Sequence, residues 1–295
     1  MNFGKLNESI AEYHSSGAVS STSLKVFASS PLLYFQRFIE KSLKRPEDEP
    51  HEFLIGHASH TLLLEPTEYF QRYYVVPESV GAKSAADKAL RAKLAAENPG
   101  KYELAHEDHQ LNTKLVAAVL SHPEASRLLA GGESEVSWRL QGQYFAVQAR
   151  TDRFNLNGWP DGGWPFICDL KTCASLKDDN PKSFRRTFWG YGYHISAQIY
   201  REVVANVLGI KPDEPRPRFY WIAVEKEAPY GVEVFEIDDL AYDLAARQVH
   251  DLFTRLRKCH ETGVWPGSPT EVQTLTPPAW LTRKVLDGTD PAILA

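Results

Sequence analysis

Asp169 and Lys171 stand two residues apart in the apolar run FICDLKT, residues 166–172. On a β-strand that spacing sends both side chains to one face. A carboxylate and an ammonium group held side by side can bind a divalent metal next to a water nucleophile. Two more acids precede them in stretches that alternate polar and apolar residues, Glu135 in ESEVSWRL and Asp152 in YFAVQARTDRFNL. Brought to one end of a sheet, these hard oxygen donors suit Mg2+ or Mn2+, which keep several waters and accept phosphate oxygens from a substrate. The chemistry such a site serves is metal-assisted phosphodiester hydrolysis, with Lys171 orienting the water or stabilising developing charge. Taken singly, each residue has a plainer reading. Asp152 reads as a turn or surface residue, Lys171 as a solvated edge lysine and Glu135 as an outward polar position. The joint pattern favours a site.

Positioning these groups takes at least three consecutive strands, and the texture of the chain supplies them after Gly131 and Gly132. The turn QGQ separates the first two, and the Gly-, Pro- and Asp-rich NGWPDGGWP leads into the third. Upstream, AVSSTSLKVFASSPLLYFQRFIE reads as a capped helix broken near Pro31, followed by the charged loop KSLKRPEDEP. EFLIGHASHTLLLEPTEYF reads as a buried helix ended by Pro66, and residues 84–129 as helical with an interruption at Pro99 and Gly100. Downstream come a basic segment, KDDNPKSFRRTFWGYGYH, the apolar helix ISAQIYREVVANVLG, two strands in RFYWIAVEKE and YGVEVFEI, and a helix over 238–262. The expectation is an α/β chain with a central mixed sheet flanked by helices. One domain would span 1–265, with a helical part at 19–130, a sheet core at 131–237, a closing helix at 238–262 and an irregular tail at 266–295.

Composition narrows the class. With 295 residues and 43% hydrophobic content the chain can bury a full core. A net charge of -5 argues against a general nucleic-acid coating protein, but leaves room for an enzyme with an acidic metal site and a local basic groove. Three cysteines, Cys168, Cys173 and Cys259, make neither a disulfide framework nor a four-cysteine iron–sulfur site, and fit a reducing cytoplasm. Neither an export signal nor a membrane span is expected. The pairs His57 with His60, and His106 with His109, share a spacing that can hold zinc on a helix, so a zinc hydrolase is an alternative. Both lack the His-Glu-x-x-His pattern of a metalloprotease.

The order of a helix with GHASH, strands with EVSW, RTDRF and DLKT, and a helix containing Tyr200 resembles the PD-(D/E)xK nuclease superfamily with its restriction-endonuclease-like core. Within it the pattern is most similar to the exonuclease VIII (RecE-like) branch, related to lambda exonuclease, over about Val19 to Trp265. The resemblance implies His60, Asp152 and Asp169 as metal ligands, Lys171 as the catalytic lysine and Glu135 as an accompanying acid. Relatives commonly carry a Gln four residues before the Tyr. Here Ser196 occupies that position, and Gln198 stands nearby as a substitute. Lys177, Lys182, Arg185 and Arg186 form a basic cluster placed to meet a DNA backbone. The hydroxyl-rich helix start, including Thr22 and Ser23, resembles the region that receives a terminal phosphate, although helix capping explains the same residues. The function implied is a Mg2+-dependent exonuclease acting 5′ to 3′ on ends of linear double-stranded DNA, leaving 3′ overhangs for recombination. A ring-forming homo-oligomer, a single-strand annealing protein as partner and a phage or prophage setting follow from the same resemblance. The alternatives are an endonuclease of the superfamily and a DNA-binding scaffold that keeps the fold without catalysis.

Overall fold

The computed structural model describes residues 3–43, 51–158, 163–277, 279, 282 and 283. Most of the loop at 41–50, the centre of the Gly-rich turn before the third expected strand, and the end of the tail lie outside these residues. Residues 266–277 have no regular secondary structure.

A six-stranded mixed sheet carries the molecule. In chain order its strands are β1 (Gly4–Leu6), β4 (Glu133–Gln141), β5 (Ala146–Asn155), β6 (Phe166–Cys173), β7 (Arg218–Glu225) and β8 (Val232–Phe235), and they lie in that order across the sheet. All neighbours are antiparallel except β6 and β7, which run parallel. That crossover is made by α9 (Phe184–Gly190) and α10 (Tyr193–Leu208). The short strands β2 (Tyr73–Val75) and β3 (Tyr102–Leu104) form a separate parallel pair.

Both faces of β6 and β7 are covered, and their side chains alternate between two cores. Ile167, Cys173, Phe219, Trp221 and Ala223 face the layer made by α2 (Ser21–Ser29), α10 and α11 (Asp239–Thr262). Phe166, Cys168, Leu170, Tyr220, Ile222 and Val224 face α4 (His51–Leu64), α7 (His106–Ser121) and α8 (Pro123–Leu129). This double burial explains why FICDLKT reads as a nearly continuous apolar run rather than as an alternating one. Short elements complete the chain: α1 (Ile10–Ser15), α3 (Pro31–Tyr34) running into a π-helical turn (Phe35–Ile39), α5 (Pro66–Arg72) and α6 (Ala85–Glu97).

Local chemistry sets the helix ends near the site. Ser20 caps α2 and forms a reciprocal capping box with Ser23, which uses the hydroxyl string SSTS. Pro31 and Pro66 open α3 and α5 at positions where a missing N–H costs nothing. At the far end, Trp265 stacks on Tyr34 and Phe35 and meets Phe27 edge-on, while Pro266 accepts a hydrogen bond from the Leu32 amide. The segment after α11 is thereby fastened across α2 and α3.

Sequence reasoning missed several small elements. β1, three residues long, pairs with β4 and extends the sheet with residues upstream of 19. β2 and β3 interrupt the helical region, and α9 lies inside the basic segment. Each is too short to show a period.

Candidate active site

His60, Glu135 and Asp152 converge, each offering a ligand atom, with these atoms within 4.8 Å of one another. They come from α4, β4 and β5. The histidine fixes the character of the cluster. Its Nε2 lies 2.8 Å from the Leu170 carbonyl oxygen, and since a carbonyl can only accept, Nε2 carries the proton. In the neutral ring Nδ1 then presents a lone pair toward Asp152 Oδ2, 3.4 Å away. Burial first, and then the Lys171 charge, lower the His60 pKa, so the ring is neutral at physiological pH. With Asp152 ionised, two acceptors face each other in a half-buried site, an arrangement that suits a shared proton or a metal cation between them.

The carboxylates tell the same story. Desolvation and the neighbouring Asp169 push Asp152 up to about 7, against the pull of Lys171 and the Leu170 amide, whose N–H donates to Oδ2 at 2.8 Å. Glu135 is raised by burial and by Asp152. Arg150 holds Glu135 from one side, its Nε donating to Oε2 at 2.8 Å while Nη1 donates to the Glu8 carbonyl and Ser137. Negative charge here exceeds what the nearby cations neutralise.

The backbone is distorted at this point. Glu135 has φ 53°, in the left-handed region, and the β4–β5 ladder pairs Ser134 with Arg153 and Val136 with Thr151 but skips the residues between. The alternation changes phase across Asp152. Trp138 donates from its indole to Thr151 on one side of it and stacks edge-on against Phe154 on the other. A non-glycine residue in this conformation costs on the order of 1 kcal/mol or more, a cost typical of functional positions.

Asp169 and Lys171 form an ion pair on β6. Burial opposes the Lys171 charge, but Asp169 and Asp152 outweigh it and raise its pKa above the ordinary lysine value. Asp169 is 8% exposed, and its Oδ2 is directed at the ammonium without an aligned hydrogen bond. The triad of convergent ligand atoms therefore contains Glu135, with Asp169 beside it on the lysine. Tyr200 lies at the same site, hydrogen-bonded to Ser21, its pKa raised by burial and by Asp169 and Asp152.

The remaining sequence candidates are placed elsewhere or in other roles. Gln198 is buried and donates to Glu202. Ser23 is buried in the cap of α2, and Thr22 is exposed on its outer face. Arg185 donates to the Leu176 carbonyl, pairs with Glu233 and Asp178, and lies 4.9 Å from the Phe235 ring, so it braces α9 on β8. Arg186 donates to the Asp178 carbonyl, and Lys177 and Lys182 are exposed in the loop before α9. Among the described residues the second histidine pair makes no metal cluster: His109 bonds to the Tyr69 hydroxyl and His106 to Gln110. Sequence reasoning missed Arg150, which lay inside the quoted RTDRF region without a role, and Lys25. Lys25 reaches from α2 to the Tyr191 carbonyl at 3.1 Å and the Ser196 hydroxyl at 3.2 Å. Its only sequence signal was its place in a Ser-capped helix.

Residues 20–276 match the family described as a PDDEXK-like domain of unknown function (DUF3799), and the chain belongs to that family. Fold and family together place it in the PD-(D/E)xK nuclease superfamily. A solved structure from Eubacterium rectale, described as a "putative exonuclease", is similar at a TM-score of 0.61 and 14% sequence identity, covering 97% of this chain and 99% of that one. Likeness at that identity speaks to the fold. No curated protein matches the chain significantly. Among the described residues no helix is long and apolar enough to cross a membrane.

The ligand set fits a divalent cation. His60, Glu135 and Asp152 would hold it, with the His60 Nε2–H anchored on a backbone carbonyl as ligating histidines usually are.

Proposed function

We propose that the protein is a divalent-metal-dependent DNA nuclease that hydrolyses phosphodiester bonds at the ends of linear duplex DNA. The observation that carries the reading is the facing of His60 Nδ1 and Asp152 Oδ2, with Glu135 in reach and the Lys171 ammonium alongside. Bound at these ligands, Mg2+ or Mn2+ supplies polarisation of the phosphate and a more acidic water. The chain's own residues do the rest. Lys171, kept charged by Asp169 and Asp152, donates to the attacking water or to a non-bridging phosphate oxygen as charge develops. Arg150 keeps Glu135 aimed at the cluster, and Leu170 fixes both His60 and Asp152 through its backbone.

Exonuclease action, 5′-to-3′ polarity, production of 3′ overhangs for recombination, a single nuclease domain over 1–265, a ring-shaped homo-oligomer and a single-strand annealing partner belong to the same proposal. They rest on the sequence resemblance, and exonuclease action alone also draws on the description of the Eubacterium rectale structure. The test is digestion of linear duplex labelled at the 5′ or 3′ end, with covalently closed circular duplex alongside. Mg2+-dependent loss confined to linear DNA, with the 5′ label released first, supports it. Cutting of the closed circle points to an endonuclease, and DNA binding without cutting in any divalent metal points to a scaffold.

A further inference from the structure

Two large aromatic rings reach solvent where α9 runs into α10, Trp189 in the last turn of α9 at 52% exposure and Tyr191 in the turn that follows at 59%. Single exposed rings are ordinary surface features, but these two stand two residues apart beside an unusual cation. Lys25 crosses from α2 and is held at that turn by the Tyr191 carbonyl and the Ser196 hydroxyl. Among the described residues no carboxylate lies within ion-pair distance of it, and Asp169 acts on it only from farther away. Gly192, at φ 64°, makes the crossing possible: a Cβ there would sit 3.0 Å from the Lys25 side chain. Tyr193 links the turn to the candidate active site, its ring centroid 5.7 Å from that of Tyr191, 5.5 Å from Lys171 Nζ and 5.9 Å from Lys25 Nζ. A partly buried ammonium with no ion-pair partner, two rings that each keep an exposed side while packing on Phe188, His194 or Tyr193, and a direct path to Lys171 together make a surface for a phosphate with a base attached.

We propose that Lys25, Tyr191 and Trp189 form a nucleotide-holding platform at the mouth of the active site. It takes an unpaired terminal nucleotide, with Lys25 on a backbone phosphate and the rings under the base. Stacking on aromatic rings is indifferent to base identity, so the platform selects unpaired over paired ends rather than sequence. The inference deepens the nuclease reading and rests on it for the choice of nucleic acid as occupant.

The experiment uses the full chain in EDTA with a duplex ending in one unpaired 2-aminopurine nucleotide, read by fluorescence. The wild type is expected to quench the probe and to prefer it over the blunt duplex. Tyr191→Ala and Lys25→Met should each weaken binding by about tenfold, with Tyr191→Ala also losing the quench and Trp189→Ala showing a smaller loss. Tyr191→Phe should restore quenching, which separates a missing ring from a misfolded turn. Phe70→Ala, removing a comparably exposed ring on α5, should leave the quench intact. Unchanged affinity and quench in both Tyr191→Ala and Trp189→Ala would overturn the platform. So would a change of oligomeric state in these variants without a change in DNA binding, which would make the rings a contact between copies of this chain. Metal is absent from the assay, so the two readings fail separately: quenching without any metal-dependent cleavage sinks hydrolysis and keeps the platform, while cleavage without quenching sinks the platform alone.

Discussion

The two sides of the site have opposite electrostatic deficits. On one side His60, Glu135 and Asp152 bring lone pairs and carboxylates together, and the acids' affinity for protons rises because burial desolvates them and a neighbouring carboxylate repels each, more than the nearby cations offset. On the other, Lys25 is partly buried with no carboxylate in ion-pair reach, its pKa lowered first by desolvation and then by Lys171, which Asp169 only partly offsets. Lys171 and Asp169 stand between, paired with each other. A fold selected for stability alone would bring the surplus acids and the surplus lysine together. Keeping them apart leaves one position for a cation and another for an anion, the two components of a metal-bound phosphodiester substrate.

Substitutions can break this comparison on either side, and the largest effects belong to the centre. Lys171→Ala and Asp152→Asn should each lower the single-turnover cleavage rate of linear duplex by about 100-fold or more, with DNA binding largely retained. A smaller effect is expected one shell out. Arg150→Met removes the group that aims Glu135, and should raise the Mg2+ concentration needed for half-maximal rate by about tenfold, read from a metal titration of cleavage. A lower maximal rate at an unchanged metal requirement would instead give Arg150 a role apart from metal affinity.

The acidic side also predicts a pH signature without metal. Asp152 has its folded-state pKa raised to about 7 from an ordinary 3.8, so the folded protein binds this proton more tightly than the unfolded chain does. Its contribution to stability is complete below the unfolded value and is lost as pH rises through the folded one. Asp152→Asn never meets that loss. In EDTA the variant's stability advantage over wild type should therefore grow between about pH 4 and about pH 8, reaching on the order of 1 to 2 kcal/mol, or a few degrees in Tm. The side chain keeps 16% exposure, which holds the effect below that of a sealed carboxylate. An advantage that shrinks with pH would contradict the charge surplus. The smallest effect is at the periphery: Lys182→Ala should change stability by less than about 0.5 kcal/mol and DNA affinity by only about twofold, since its side chain is exposed in a loop.

How much of this could be read from sequence depended on what each residue's signal was. The strands of Glu135 and Asp152 were legible through alternation of polar and apolar residues, and that of Asp169 through the apolar run that burial on both faces forces. The long helices α10 and α11 were legible as extended helical stretches. Convergence of Glu135 with Asp152 was suggested by the pattern, but the phase change that shapes it was not. It depends on one left-handed residue, and nothing in ESEVSWRL marks Glu135 for that conformation. Arg185 read as a DNA contact because it lies in a basic run, yet its partners, Glu233 and the Phe235 ring, sit about fifty residues downstream. Lys25 was invisible for the converse reason: its importance lies in what it lacks, and a missing partner has no sequence pattern. β1 escaped because three residues carry no period.

The central claim is that the acidic cluster and Lys171 together hydrolyse a phosphodiester. The most direct measurement is single-turnover cleavage of a labelled linear duplex by the wild type, Asp152→Asn and Lys171→Ala in Mg2+ and in EDTA, with binding of the same DNA followed in parallel. The account predicts cleavage by the wild type in Mg2+ alone, and loss in both variants while DNA remains bound. Cleavage that persists in EDTA, or at the wild-type rate in either variant, would contradict it.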